Sequence, residues 1–189
     1  MTPRLPVTCT ICGKAGDYGL CEKCQRSSRL DRVLSLFPYS ETIIQSLIKT
    51  AKYSGNFDAL RCYSELFVDI YRRAIPTDDW VFSFVPLSRE REKKRGFNQA
   101  EELARLLAGK DYPVKNTLRK VKDTPAQAKQ NRDIRLKNIR GSFAAVDKAP
   151  KNIVLCDDVI TTGSTLKEAA KVLKRAGTKQ VIALTIAHG

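Results

Sequence analysis

The stretch N-I-V-L-C-D-D-V-I-T-T-G-S-T at residues 152–165 decides the fold of this 189-residue chain. Ile153, Val154 and Leu155 form a short, partly β-branched apolar run, which is typical of a strand buried on both faces of a parallel sheet. Two aspartates follow at its carboxyl end, where open α/β sheets bind their ligands. Residues 166–176 then read L-K-E-A-A-K-V-L-K-R-A, which is a helical pattern. The sequence therefore predicts a strand, a loop and a helix in this order.

The loop between this strand and this helix has the chemistry of a ribose-phosphate site. The amino end of a helix offers unpaired backbone N–H groups and a dipole that favours an anion. Gly163 lets the backbone approach a ligand closely, and the neighbouring hydroxyls add donors. Asp157 and Asp158 can accept hydrogen bonds from sugar hydroxyls. The alternative is an ordinary connection in which the two aspartates are solvated turn residues.

Four cysteines near the amino terminus are spaced as a metal site. Cys9, Cys12, Cys21 and Cys24 form two C-x-x-C pairs with eight residues between them, so that each pair can present two thiolates to one ion. So short a segment cannot bury a useful apolar core, and metal binding would supply its folding free energy. Disulfides or redox motifs are the alternative, but we see no secretory signal and no strand–helix–strand context here. We expect a structural zinc ion.

The charge balance is strongly basic. The chain has 34 Lys and Arg against 20 Asp and Glu, a net charge of +14. Residues 89–140 alone hold 16 basic against 7 acidic side chains, an excess of 9. Such a field concentrates polyanions, whether pyrophosphate or nucleic acid, although a solvated basic face is the alternative. No segment approaches the ~20 apolar residues of a membrane span, and we expect a cytoplasmic protein that is not an integral membrane protein.

Helical and strand patterns alternate along the rest of the chain. Helical patterns occupy residues 41–51, 57–74, 97–107 and 127–137, and strand patterns occupy residues 80–85, 114–121 and 180–187. This alternation favours a parallel sheet covered by helices on both faces. We therefore predict an α/β domain over residues 30–189, preceded by a four-cysteine module over residues 1–29.

Residues 152–165 resemble the 5-phosphoribosyl 1-pyrophosphate (PRPP) motif of type I phosphoribosyltransferases, in which an apolar run, two acidic residues and a T-x-G-x-T loop follow one another. Three more segments extend the resemblance: V-P-L-S-R at residues 85–89, K-R-G-F-N-Q at residues 94–99, and Q-x-x-x-x-R-x-x-R-x-x-N-I-R-G-S-F at residues 127–143. Together with the cysteines, they resemble the ComF family of competence and GntX-like proteins. The resemblance implies a parallel sheet flanked by helices after a zinc-ribbon or knuckle module.

The resemblance also implies which residues contact PRPP. The carboxylates would hold the ribose hydroxyls, directly or with Mg²⁺, and the loop after them would bind the 5-phosphate. The loop after the strand at residues 80–85 would face pyrophosphate, and basic side chains after it would neutralise the charge. The implied set is Asp157, Asp158, Val159, Thr161, Thr162, Gly163, Ser164, Thr165, Pro86, Leu87, Ser88, Arg89, Lys94 and Arg95.

Residues 119–135 match the mobile hood of such enzymes. Basic and polar side chains here would close over the bound diphosphate or lie on a nucleic-acid surface. The candidates are Arg119, Lys120, Lys122, Gln127, Arg132 and Arg135.

The acceptor of a phosphoribosyl transfer stays open. The site would allow displacement at the anomeric carbon of PRPP with pyrophosphate leaving. Several purine-specific members place an aspartate where this chain has Thr161, and a threonine is no general base near neutral pH, so the catalytic residue is unknown. The ComF resemblance implies a role in DNA uptake during natural transformation, with PRPP, single-stranded DNA and other uptake proteins as partners. The alternative is a Mg²⁺-dependent phosphoribosyltransferase of nucleotide or small-molecule metabolism without a DNA role.

Overall fold

Four parallel strands form the central sheet of the molecule. The computed structural model describes residues 7–54, 68, 70–71, 73–76, 79–122 and 138–189. The strands of the sheet are β1 (Arg32–Pro38), β2 (Trp80–Phe84), β5 (Asn152–Ile160) and β6 (Gln180–His188). Their order across the sheet is β1–β6–β5–β2, and every neighbouring pair is parallel. A separate antiparallel ribbon joins β3 (Leu118–Lys120) to β4 (Phe143–Ala145).

Helices cover both faces of the sheet, as the alternating pattern predicts. They are α1 (Glu22–Ser28), α2 (Thr42–Ser54), α3 (Arg89–Arg95), α4 (Gln99–Ala108) and α5 (Ser164–Arg175). Leu103 and Leu107 of α4 share one buried apolar cluster with Val154 of β5. Leu166 and other apolar residues of α5 belong to a second cluster, which also contains the buried part of the cysteine segment. The two clusters are the two sides of the sheet, so α4 and α5 lie on opposite faces.

This arrangement creates a switch point between β2 and β5. The chain leaves the carboxyl end of β2 toward α4 on one face, and it leaves β5 toward α5 on the other. Residues 113–115 return from α4 to the outer side of β2, where Lys115 N donates to Phe82 O at 2.9 Å. The loops after β2 and β5 therefore diverge and leave a crevice between them, which is where α/β sheets of this kind bind ligands.

The prediction of an α/β fold with a parallel sheet and a preceding cysteine cluster is confirmed. The predicted helix at residues 41–51 corresponds to α2, and the one at residues 97–107 corresponds to α4, with α4 beginning two residues later. Of the strand predicted at residues 114–121, only residues 118–120 form one, and Val114 makes an isolated bridge to Phe82. The predicted helix at residues 127–137 and most of the one at residues 57–74 lie outside the described residues. Sequence patterns did not predict α1, β1, α3 or β4.

The described ranges contain no helix with the length and apolar character that crossing a bilayer requires.

Candidate functional site

The two aspartates of the acidic pair lie in the carboxyl half of β5. The apolar run predicts a strand that ends before these aspartates. The strand instead continues through Ile160, because β6 extends beside it to His188. Both carboxylates are partly exposed, and the backbone N–H of Asp158 donates to Asp157 Oδ1 at 2.9 Å. A strand presents successive side chains to opposite faces, so the pair borders the crevice from both sides of the sheet.

Gly163 makes the turn from β5 into α5. Its φ of 68° is a left-handed conformation that favours glycine, and it stands at the N-cap position of α5. The Thr162 and Ser164 hydroxyls lie 2.9 Å apart, and the backbone N–H of Ser164 points to Thr162 Oγ1 at 3.4 Å. Two hydroxyl groups and the free N–H groups of the first helical turn therefore converge on one place.

These groups line a small pocket of about 50 Å³. Its walls are formed by the end of β5, the turn and the first residues of α5, and they include Asp157, Val159 and the loop from Thr161 to Thr165. A pocket with backbone donors, hydroxyl groups and a helix amino terminus suits a phosphate group. The structure thus brings together the residues of the predicted phosphate loop with one of the two aspartates.

The loop after β2 lies at the same edge of the sheet. Val85 N donates to Cys156 O at 3.0 Å, which sets this loop level with the acidic pair of the neighbouring strand. Pro86 and Ser88 are buried, Leu87 is partly exposed, and the Ser88 hydroxyl accepts from Arg91 N at 3.4 Å to cap α3. The predicted pyrophosphate loop and the acidic pair are therefore neighbours.

Asn98 holds this loop in place, a role that sequence reasoning missed. Its Nδ2 donates to Val85 O at 3.0 Å, and its Oδ1 accepts from Ala100 N at 3.0 Å as the N-cap of α4. The buried side chain thus joins the loop after β2 to the start of the helix that follows. The signal was present in the sequence, because an asparagine directly before a helical pattern is a preferred N-cap.

The predicted cationic residues of the pyrophosphate side lie on α3. Arg89 and Lys94 are exposed, and Arg95 is partly exposed. Helix α3 begins directly after the loop and ends at Gly96, whose φ is 78°. Its last turn carries Lys93 beside Lys94 and Arg95. The positive charge of this helix therefore lies next to the crevice rather than within the small phosphate pocket.

Three of the predicted hood residues lie in strand β3 or directly after it. Arg119 and Lys122 are exposed, and Lys120 Nζ lies 5.6 Å from the centre of the Phe143 ring. Gln127, Arg132 and Arg135 lie outside the described residues. The part of the hood that the structure describes therefore presents cations to solvent from a short ribbon.

The four cysteines converge as their spacing predicts. The Sγ atoms of Cys9, Cys12, Cys21 and Cys24 all lie within 4.8 Å of one another. Four sulfurs around a tetrahedral zinc ion at ~2.3 Å stand about 3.8 Å apart, so this donor set fits the ion. The Sγ atoms of Cys12 and Cys21 lie 3.6 Å apart, which is too long for a disulfide bond.

Backbone hydrogen bonds shape the first knuckle. Gly13 N donates to Cys9 O at 2.8 Å, and Cys9 N donates to Lys14 O at 2.7 Å. Burial raises the pKa of the Cys9 thiol, but backbone hydrogen bonds outweigh it and bring the pKa down to about 7. Burial and the neighbouring thiols raise the pKa of Cys24 to about 12. A divalent cation among the four sulfurs would remove the repulsion that opposes ionisation of the second thiol.

The cysteine knuckle also packs on the phosphate loop. Ile11, which lies between the first two cysteines and is buried, covers Gly163 with its side chain. Sequence reasoning missed this contact. The one local indication of it is that Ile11 is apolar although it lies between Cys9 and Cys12 in a polar knuckle. The cysteine cluster and the turn at Gly163 are therefore in direct contact through Ile11.

Comparison with known proteins gives one matching family model and several relatives. Residues 93–189 match the phosphoribosyl transferase domain. The chain is 31% identical to competence protein F of Haemophilus influenzae, over 92% of this chain and 81% of that protein. It is 28% identical to competence protein ComFC of Bacillus subtilis, over 89% and 72% of the two chains. The DNA utilization protein YhgH of Salmonella typhi is 30% identical, over 92% and 80%.

Proposed function

This chain belongs to the phosphoribosyl transferase domain family and to the ComF family of competence proteins within it, and from this premise we propose that it binds PRPP and handles incoming single-stranded DNA during natural transformation. The observation that carries the PRPP part is the meeting of three elements at one edge of the sheet. These elements are the acidic pair of β5, the turn at Gly163 and the loop after β2.

Each part of PRPP would have a partner in this arrangement. The 5-phosphate would lie in the pocket at the amino end of α5, where Thr161, Thr162, Ser164 and Thr165 supply hydroxyl groups. The ribose hydroxyls would donate to Asp157 and Asp158. The pyrophosphate would face residues 86–89, with Lys94 and Arg95 adding positive charge.

Mg²⁺ would enter this site with PRPP rather than alone. The acidic pair is partly exposed and offers oxygen ligands, which Mg²⁺ prefers, while the phosphate oxygens of PRPP would complete its coordination. Zinc would bind separately to Cys9, Cys12, Cys21 and Cys24, because sulfur ligands in this number suit zinc. The two ions thus have distinct roles, one with the ligand and one in the structure.

Slow or absent transfer fits the residues at this site. Thr161 is exposed and stands where several purine-specific members of the family place a carboxylate. A threonine hydroxyl takes up a proton poorly near neutral pH, so an acceptor would have to arrive already reactive. We therefore propose PRPP as a ligand or regulator of the protein.

The DNA role rests on the relatives and on charge. Two of the relatives carry competence in their names and a third carries DNA utilization, and the net charge of +14 favours a polyanionic partner. The proposal places the protein in the cytoplasm, where the strand arrives and other uptake proteins would meet it. Basic side chains of the hood, including Arg119, Lys120 and Lys122, are candidates for contact with the strand.

We further propose that residues 1–29 form a zinc module and residues 30–189 the phosphoribosyltransferase domain. A left-handed turn at Arg29, with φ 63°, ends α1 just before β1 begins the sheet, and supports this division.

Calorimetric titration with PRPP in the presence of Mg²⁺ tests the PRPP part. We expect saturable binding by the natural chain, and a loss of at least tenfold in affinity for the double variant Asp157→Asn and Asp158→Asn. Asp79→Asn with Asp147→Asn is the matched control, because these exposed carboxylates lie away from the crevice. Equal affinity of both double variants for PRPP would refute the assignment.

A further inference from the structure

A wide groove runs between the cysteine module and the carboxyl-terminal helix. It has a volume of about 840 Å³, and its walls come from α1 and the turn after it, from α5, and from residues 139–140. Seven basic and two acidic residues line it. Its two apolar lining residues, Leu30 and Ile139, are 1% and 4% exposed, so they offer almost no apolar surface to a partner. The groove is therefore polar and cationic.

Several cations of the groove have no acidic partner. Lys174 pairs with Asp31 at 2.7 Å, and Glu168 accepts from the backbone of Gly141 at 2.8 Å and lies 3.9 Å from Lys171 Nζ, which occupies both acidic side chains of the groove. Over the described residues, Arg29, Arg140, Lys167 and Arg175 form no ion pair. Their charge is left for a ligand, since an uncompensated cationic cleft attracts anions.

The cations on α5 form a regular row. Lys167, Lys171 and Arg175 follow one another at intervals of four residues on the same helix. Residues four apart lie on one face and rise by about 6 Å along the axis. This row presents positive charges at a spacing similar to that of successive phosphates along an extended polynucleotide strand.

We propose that this groove binds the phosphate backbone of a single-stranded polynucleotide, which deepens the nucleic-acid part of the proposed function by giving it a site. The row on α5 and Arg29 across the groove would contact successive phosphates. Among the residues that the structure describes, no aromatic side chain lines the groove, so the strand would be held by its backbone, without stacking and without preference for sequence. An acidic polypeptide fits less well, because protein partners are anchored by apolar and aromatic side chains and this groove exposes almost none.

The groove ends at the phosphate loop. Ser164, the first residue of α5, lines both this groove and the small pocket beside Gly163. A strand in the groove would therefore lie next to PRPP in its own pocket, along one helix. The strand would contact the cations along α5, and PRPP would contact the hydroxyl and N–H groups at its amino end.

A charge-matched pair of triple variants tests the proposal. Arg29→Gln, Lys171→Gln and Arg175→Gln remove three cations of the groove. Lys110→Gln, Lys115→Gln and Lys148→Gln remove three exposed cations elsewhere and change the net charge equally. Binding of a fluorescent oligothymidylate is measured by anisotropy over a series of salt concentrations, and PRPP binding is measured by calorimetry on the same preparations.

We expect the groove variant to bind the oligonucleotide at least tenfold more weakly than the control variant. Its plot of log affinity against log salt should be shallower by about 2, since each phosphate contact on a single strand contributes roughly 0.7. PRPP affinity should stay unchanged in both variants, which separates a failure of the groove from a failure of the PRPP site. Equal oligonucleotide binding by the two variants would overturn the proposal. Displacement of the oligonucleotide by polyglutamate at an equal concentration of negative charge would also overturn it.

Discussion

The side chain of Ile11 lies so close to Gly163 that a Cβ atom on this glycine would stand 3.1 Å from Ile11 Cγ1 and 3.2 Å from Ile11 Cδ1. Ile11 sits between Cys9 and Cys12 of the cysteine cluster, and Gly163 makes the turn from β5 into α5. Ile11 therefore limits the space at the turn between β5 and α5, although the two residues are far apart in the chain.

The first prediction concerns Gly163→Ala. The new methyl group would press on Ile11, and the left-handed φ of 68° would strain any L side chain. We expect a loss of about 1–2 kcal/mol in unfolding free energy and at least tenfold in PRPP affinity. Chemical denaturation and calorimetry measure the two effects.

Gly141→Ala is the matched control for this variant. Gly141 has a similar φ of 71°, but a Cβ there meets nothing within 4 Å, so only the backbone strain is shared. We expect Gly141→Ala to keep its PRPP affinity. Combining Gly163→Ala with Ile11→Ala should restore part of the affinity, and strictly additive losses would show that Ile11 does not shape the loop.

The second prediction concerns the metal. Cys9→Ser should reduce the zinc content well below about one ion per chain, because it replaces one of four thiolate ligands with a neutral hydroxyl that binds zinc weakly. The knuckle that holds Ile11 would then lose its shape, so PRPP affinity and thermal stability should both fall. Elemental analysis measures the zinc content, and calorimetry with PRPP measures the consequence for the phosphate loop.

Lys14→Gln controls for substitution within the same knuckle, since Lys14 is exposed and its backbone carbonyl is retained. It should keep both zinc and PRPP binding. A zinc-free Cys9→Ser protein with full PRPP affinity would contradict the dependence of the loop on the module.

The third prediction concerns Asn98. Asn98→Ala removes both the N-cap of α4 and the donor to Val85 O, and each loss costs about 1 kcal/mol or more. Asn98→Asp keeps an acceptor for Ala100 N but sets a carboxylate against the Val85 carbonyl. We therefore expect both variants to lose stability and PRPP affinity, with Asn98→Asp retaining the helix cap.

Asn116→Ala is the comparison for this prediction, because Asn116 is exposed and its replacement should change stability by no more than about 0.5 kcal/mol. Full PRPP affinity in Asn98→Asp would mean that the loop after β2 does not need its tether to bind pyrophosphate.

Local patterns predicted the elements of the site that are continuous in sequence. The segment from β5 to α5 and the two C-x-x-C pairs each carry their chemistry within a few residues, so their spacing was sufficient. Helix α3 was not predicted because its seven residues are all charged and none is buried. Its sequence therefore has no helical periodicity of apolar residues. Ser88 and Gly96, which cap its two ends, are nonetheless residue types that indicate the start and the end of a helix.

Contacts across long stretches of chain could not be predicted. Strand β1 has five consecutive buried residues, but it follows directly on the knuckle and its pairing partner is β6, about 150 residues later. The hydrogen bond between His188 Nδ1 and Ser35 Oγ, at 3.2 Å, spans the same two strands. No partner for this histidine could be predicted, because only the order of the strands in the sheet brings the two residues together.

The fourth prediction concerns this histidine, which is the one histidine of the chain. Partial burial lowers the pKa of His188 below its ordinary value of 6.5, because burial disfavours the charged ring. The pKa of His188 in the folded chain is therefore below its pKa in the unfolded chain. The stability that the uncharged ring contributes is fully present above pH 6.5 and is lost as the pH falls through the folded pKa. Replacing the imidazole with an uncharged group should remove this dependence.

We therefore expect the natural chain to lose more unfolding free energy between pH 7.5 and pH 5.5 than His188→Gln does, as measured by chemical denaturation at each pH. Zinc ligands also lose affinity in acid, but they are the same in both proteins, so the difference between the two curves isolates the imidazole. Ser35→Ala, which removes the hydroxyl partner and keeps the ring, should retain the steeper dependence because burial is the cause of the shift. Parallel curves for the natural chain and His188→Gln would show that the imidazole titrates alike in the folded and unfolded chains.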